Sequence, residues 1–330
     1  MKKIACVGYH GTGAGVVDDL FREFDNVCQG RYECEARLLQ DPDGISDLEF
    51  NLVENPHRTN SGFAIKRFVQ YVNRVNHTYK YIFGSDWKKI SMTYVDSLVK
   101  EKFQGYSECD TFCQPLIPYS IFRMRRAFNK MLPKMWKKPN YYNYFPKITS
   151  YHAFLTEQDF LQKTRRYIER LCHEMNFENK EYVLLDQLIS ANNPERYLRY
   201  VDDVKVIVVD RDPRDLYINH TKCADHKLPK DPRQFCVVYK DIRKMVCPVP
   251  EDKCLYMKFE DMIYHYDASV DEILQFVGIS KKNHISPRKY FDPNKSIKGT
   301  QMWKRFPQYQ DAVRIIEREL PDYLYPYPSE

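Results

Sequence analysis

Glycine is scarce in this 330-residue chain, with only 11 in all, and four of them (Gly8, Gly11, Gly13 and Gly15) crowd into eight consecutive positions. Other absences narrow the field further. No apolar run approaches the roughly 20 residues that a membrane span needs, and the mean hydropathy is −0.63, so a soluble globular protein is expected. Met1-Lys2-Lys3 leads straight into an apolar run too short for a signal peptide, with no small-residue cleavage site, which sets the expectation of a cytoplasmic protein. There is no Cys-x2-Cys pair, and Cys109-x3-Cys113 has no partner pair at zinc-finger spacing. The ten cysteines, Cys6, Cys28, Cys34, Cys172 and Cys236 among them, therefore read as reduced structural thiols, and no metal site is expected.

Ile4 to Val7 is a short apolar run of the kind a buried parallel strand shows. The four glycines follow it, and a helical pattern runs from Val16 to Phe24. Strand, glycine turn and helix together point backbone N–H groups and the positive end of a helix dipole at a phosphate. The Gly8-x4-Gly13 spacing matches a nucleoside-triphosphate loop, but Ala14 and Gly15 stand where Lys and Ser/Thr would be. No cation reaches the phosphates from that position and no hydroxyl holds Mg²⁺. The loop suits a phosphate ligand handled without metal; it also fits a tight turn that binds nothing.

Further along, the pattern predicts a strand at Tyr32 to Leu39 and an amphipathic helix from Phe63 to Arg74. It predicts a strand at Tyr79 to Phe83 and a helix from Ser91 to Phe103. Thr156, with Asp159 three residues on, caps a long helix running to about Met175. Strands follow at Glu181 to Asp186, Val204 to Asp210 and Leu255 to Lys258. Helices are expected from Asp267 to Val277, stopped by Gly278, and from Tyr309 to Leu320. Strands alternating with helices imply an α/β fold with a parallel sheet flanked by helices. One α/β domain spanning 1–330 is expected, with an insertion at about 105–155.

That insertion is peculiar in its charge. Between Asp110 and Glu157 there is no acidic residue, while eight Lys and Arg stand among many Phe, Tyr and Trp. Such a segment suits an anionic partner or a membrane surface, or is a solvated loop whose aromatics pack locally. It is expected to cover the substrate side of a cleft, since inserted segments beside a rigid sheet commonly select substrates.

Val204-Lys-Val-Ile-Val-Val-Asp210 delivers Arg211 at the carboxyl end of a strand, where open α/β sheets place ligands. Pro213 fits the first turn of the next helix, and Asn219 lies about two turns beyond Arg211. A guanidinium fork and an amide both suit a phosphate; a surface charge cluster at a helix start would look the same.

With these segments in order, the chain resembles the sulfotransferases that use 3'-phosphoadenosine-5'-phosphosulfate, of the bacterial, cytosolic or carbohydrate type. Gly8-Tyr-His-Gly-Thr-Gly-Ala-Gly-Val-Val17 looks like that family's 5'-phosphosulfate loop. Arg211-Asp-Pro-Arg-Asp215 with Asn219 looks like its 3'-phosphate motif. Tyr256-Met-Lys-Phe-Glu-Asp-Met262 and Lys298-Gly-Thr-Gln-Met-Trp-Lys304 are similar to its later motifs. The resemblance implies a P-loop-containing nucleotide hydrolase-like architecture and metal-free transfer of a sulfuryl group to a hydroxyl or amine. The implied donor contacts are Gly11, Thr12, Gly13, Ala14, Gly15, Val16, Arg211, Asn219, Lys298 and Gly299. Gly11 replaces the family's Lys or Arg, leaving His10 beside it to serve in part. The family's general base falls near Asp186, which could equally be a buried structural acid. The acceptor is expected to be a glycan, a lipid or a sterol, with contact to a membrane surface and none to nucleic acid. Two other readings stay open: a dinucleotide-binding oxidoreductase, which wants an acid at the end of the second strand, and a non-catalytic binder of anionic glycans or lipids.

Overall fold

Ile4, Ala5, Cys6 and Val7 are completely buried because their strand, β1 (Lys2–Gly8), has a neighbour on each side. In the computed structural model, β1 pairs in parallel with β5 (Tyr182–Asp186) and β6 (Val204–Asp210). The full sheet runs β2-β5-β1-β6-β7, with β2 at Val27–Gln29 and β7 at Cys254–Lys258. All four pairings are parallel, as the continuous apolar runs require. The structure describes residues 1–327 except 31–34, 106–107, 112–119, 121–122, 125–126, 129, 132–147, 223–226 and 245–248.

Backbone proximity divides the chain into two units: residues 1–40, 77–87 and 168–330, and residues 41–76 and 88–167. The first contains the five-stranded sheet. One layer of its core joins Val17, Leu20 and Phe21 of helix α1 (Gly15–Phe21) to Ile207 and Val209 of β6 and to Ile273 and Leu274 of the helix Tyr266–Val277. That last helix stops as its sequence predicts: Gly278 takes a left-handed φ of 79°, and its N–H donates to the carbonyl of Leu274. The second unit contains the antiparallel pair β3 (Glu101–Gly105) and β4 (Ile148–His152). At its helix start, Thr156 and Asp159 exchange bonds as a capping pair: Asp159 N–H donates to Thr156 Oγ1 (3.1 Å) and the Thr156 hydroxyl to the carboxylate (2.7 Å).

Three expected elements differ. Tyr79 to Phe83 is the last turn of the helix Arg58–Phe83 and not a strand. Tyr79, Ile82 and Phe83 are buried at the i, i+3, i+4 spacing of a helix, and Tyr79 packs edge-on against Phe83 and Trp87. The helix expected to reach Phe103 ends at Leu98, because Glu101 to Gly105 find ladder partners at Ile148 to His152. The strand expected at Tyr32 to Leu39 is, over its described part, a 3₁₀ turn at Arg37–Leu39 that buries Leu38 and Leu39. Most of the basic aromatic segment, with Cys34, Cys113, Cys223 and Cys247, lies outside the described residues. The described cysteines, Cys6, Cys28, Cys109, Cys172, Cys236 and Cys254, are free thiols.

Candidate functional site

The glycine loop leaves β1 at Gly8 and enters α1 at Gly15. Three of its residues have positive φ: His10 (76°), Gly11 (69°) and Gly13 (94°). Gly13 needs to be glycine twice over, since a Cβ there would also lie 2.6 Å from the Phe259 ring. Thr12 pins the loop to the sheet. Its hydroxyl donates to the carbonyl of Val209 in β6 (2.6 Å) and accepts the N–H of Tyr9 (3.1 Å). With that side chain fully buried, Thr12 can offer a ligand only its backbone.

Next door, β6 ends at Asp210 and the helix Pro213–Lys222 begins after a two-residue turn. The Arg211-Asp-Pro-Arg-Asp segment is not a surface charge cluster: Arg211 is 5 % exposed, and Asp212 and Asp215 not at all. Arg211 Nη2 donates to the carbonyl of Gly299 (2.5 Å), and its guanidinium lies 4.8 Å from the centre of the Phe259 ring. Its buried Nε has no hydrogen-bond partner among the described residues. That is a donor held ready inside the protein, which fits an anionic oxygen arriving from outside. The neighbouring charges have structural work instead. Asp212 accepts from Arg214 Nε (3.0 Å) and Nη2 (2.7 Å) and from the Tyr325 N–H (2.9 Å). Asp215 accepts the N–H groups of Met302 (2.7 Å) and Gln301 (2.9 Å).

Asp186 closes β5 directly opposite Cys6 of β1. The Cys6 thiol donates to its carboxylate (3.4 Å), and Ala36 N–H donates to its carbonyl (2.7 Å). Burial, with a smaller push from Glu35, raises the Asp186 carboxyl to about 6. It is therefore ionised at neutral pH but more basic than an ordinary aspartate.

These segments meet around a cleft of about 580 Å³ at the carboxyl ends of β1, β5 and β6. On its wall stand His10, Gly11, Thr12, Gly13, Ala14, Gly15, Asp186, Arg211 and Asn219. Three residues implied by the resemblance are not on it. Val16 packs against the core, Gly299 turns its carbonyl to Arg211, and Lys298 is exposed, its carbonyl accepting from Arg305. Gln187, beside Asp186, is on the wall too, and so are members that the sequence did not disclose: Arg37, Gln40, Ser190, Asn192 and Lys227. Arg37 and Lys227 add cations to a wall whose glycine loop has no lysine, yet no motif surrounds either one. A second cavity, about 710 Å³, shares Gly15, Glu35 and Asp186 with the first and is otherwise lined by Asp18, Asp19, Arg22 and the apolar Ile82, Met175 and Leu184, among others. Asp186 thus faces both spaces.

The strand order bears on the oxidoreductase alternative. In the usual dinucleotide-binding order the second strand lies beside the first; here β5 separates β2 from β1. Where that reading wants an acid, β2 ends in Gln29, whose side-chain amide donates to the carbonyl of Asp18 (2.5 Å).

No protein-family model and no curated protein matches the sequence. Among solved structures, the chain is similar to the sulfotransferase domain from the Synechococcus PCC 7002 olefin synthase, at 12% identity and a TM-score of 0.41, covering 99% of this chain and 95% of that one. It is also similar to the sulfotransferase domain from the curacin biosynthetic pathway, at 10% identity and a TM-score of 0.41, covering 99% and 98%.

Proposed function

We propose that this protein transfers a sulfuryl group from 3'-phosphoadenosine-5'-phosphosulfate to a hydroxyl or amine, without a metal ion. One observation carries the reading. A glycine loop with neither the lysine nor the hydroxyl of a triphosphate site shares one cleft with Asp186, with Arg211, whose Nε has no partner among the described residues, and with Asn219. These residues come from three separate stretches of chain, and they supply the parts that sulfuryl transfer requires. The loop backbone and His10 face the 5'-phosphosulfate, where charge develops as the bond to the bridging oxygen breaks. Arg211 and Asn219 hold the 3'-phosphate. Asp186 takes the proton of the attacking group, its raised carboxyl lying nearer the operating pH than an ordinary aspartate. No step calls for a Lewis acid, because the loop's own donors and the flanking cations meet the developing charge.

The acceptor enters from the second cavity, with Asp186 between it and the donor. That cavity is lined by the acids Asp18, Asp19 and Glu35, by Arg22, and by the apolar Ile82, Met175 and Leu184, a mixed lining that accommodates the hydroxyls of a glycan or the apolar body of a lipid or a sterol. Free thiols at all the described cysteines support a reducing compartment such as the cytoplasm. No helix among the described residues is long and apolar enough to cross a membrane. The test is a screen of acceptors with labelled sulfuryl donor, run beside thermal shifts with adenosine 3',5'-bisphosphate and NAD. Stabilisation by the bisphosphate and label transfer are expected; stabilisation by NAD alone would overturn the proposal.

A further inference from the structure

Far along the chain from the glycine loop, residues 325–327 lie against the acids of two motif segments. Tyr325 N–H donates to Asp212 (2.9 Å) and its hydroxyl to Asp261 (2.7 Å). The Tyr327 hydroxyl donates to Asp215 Oδ2 at 2.6 Å and lies 3.4 Å from Glu260 Oε1. Asp215 is completely buried and also accepts the backbone N–H groups of Gln301 and Met302. Those two amides fix the loop whose Gly299 carbonyl receives Arg211. Phenol, carboxylate, loop and guanidinium form one chain of hydrogen bonds reaching the cleft.

We propose that Tyr327 is a positioning residue for Arg211, its hydroxyl completing the donor set of Asp215 so that the 298–302 loop is held where Gly299 can orient the guanidinium. The inference rests on the reading of Arg211 as an anion-binding residue. Tyr327 touches neither the cleft nor any ligand there, so it acts only through the others.

The charges around Asp215 make the role testable by pH. Facing it are Asp212 and Arg211 at the start of its own helix, Glu260 from the helix Phe259–Tyr264, and Tyr327. Arg214 is tied to Asp212 and to Glu317 of the last helix. Burial pushes the Asp215 carboxyl up to about 6, against the hydrogen bond from Tyr327 that pulls it down. Burial likewise raises Glu260 to about 7, and its Oε2 has no partner among the described residues. A donor that bonds the charged form stabilises it more than the neutral form. Removing the phenol oxygen must then raise the Asp215 carboxyl further. The variant's deficit is accordingly full above both values and fades as pH falls through about 6.

The decisive variant is Tyr327→Phe, which keeps the ring packed on Trp303 and Tyr264 and deletes only the donor. Hydrogen exchange of the Gln301 and Met302 amides, compared with the unaltered protein at pH 8 and pH 5, reads the loop directly. Exchange about ten-fold faster at pH 8 and within about two-fold at pH 5 is expected, with the adenosine 3',5'-bisphosphate Kd raised about ten-fold at pH 8 only. In Asp215→Asn, which cannot titrate, the variant's own protection of these two amides is the same at both pH values, so its deficit against the unaltered protein also shrinks at pH 5. Unchanged exchange in Tyr327→Phe, or a loss equal at both pH values, overturns the proposal. If the unaltered protein binds no bisphosphate while exchange behaves as expected, the reading of Arg211 fails and the coupling stands. If the bisphosphate binds and Tyr327→Phe changes neither measurement, the coupling fails and the reading stands.

Discussion

Replacing Arg211 with alanine separates the two duties of that side chain. One duty is internal: Nη2 donates to the Gly299 carbonyl at 2.5 Å, and the guanidinium covers the Phe259 ring. Stranding this partly buried carbonyl costs at most about 1–3 kcal/mol of stability. The other duty is carried by the buried Nε, which has no partner among the described residues. A charge-assisted bond from it to a phosphate contributes about 1.5–3 kcal/mol, a factor of about 10–150 in affinity. Calorimetric titration with adenosine 3',5'-bisphosphate and, in parallel, with adenosine 5'-phosphate isolates the second duty, since only the first ligand has a 3'-phosphate. The variant should lose about 10–150-fold toward the bisphosphate and little toward the monophosphate. Arg211→Lys, which keeps the charge but lacks the fork, should fall between. Equal losses for both ligands would refute the assignment and leave Arg211 a structural residue.

Asp186→Asn should cut kcat by about 10²–10⁴-fold while leaving bisphosphate affinity nearly unchanged. In the unaltered enzyme, activity should decline as pH falls through about 6, where the carboxyl raised by burial takes up its proton; a flat profile from pH 5 to 8 would exclude it as the base. Among the loop glycines, Gly13→Ala should cost about 2 kcal/mol or more by denaturant titration, because φ is 94° and the Cβ meets Phe259 at 2.6 Å. Gly15→Ala, which meets nothing within 4 Å, should stay within about 0.5 kcal/mol; equal costs would contradict the loop geometry. Turnover should persist in EDTA, and a loss restored by Mg²⁺ would favour a nucleoside-triphosphate enzyme instead.

What the sequence disclosed, and what it did not, follows from how local each determinant is. β1 and β6 were legible because a central parallel strand is buried on both faces and must be apolar throughout. β2 was not: three residues paired only to β5 leave no periodicity to read. Glu101 to Gly105 looks helical until it meets Ile148 to His152, more than 40 residues later. The same division runs through the site. The glycine loop and Arg211 each carry their pattern in a short stretch, and both stand on the cleft wall. Lys227 and Asn192 reach the wall from connecting segments with no pattern of their own. Val16 and Gly299 show the converse limit: a motif names neighbours in sequence, whereas packing decides which group each one turns to the ligand.

The pairing of β1 also has a temporal side. Translation makes β1 before its two neighbours, residues 182–186 and 204–209, which come some 180 to 200 residues later. At about 5–20 residues per second, the wait is about 10–40 s. Throughout it, Ile4 to Val7 has no sheet to enter, and Thr12 lacks the Val209 carbonyl that will shape its loop. A nascent chain that has not yet reached β6 therefore offers chaperones an unpaired apolar strand and a glycine loop with nothing to pin it. Fragments released before that point should be captured as clients or degraded, and the glycine loop should take its shape late, when β6 slides in beside β1.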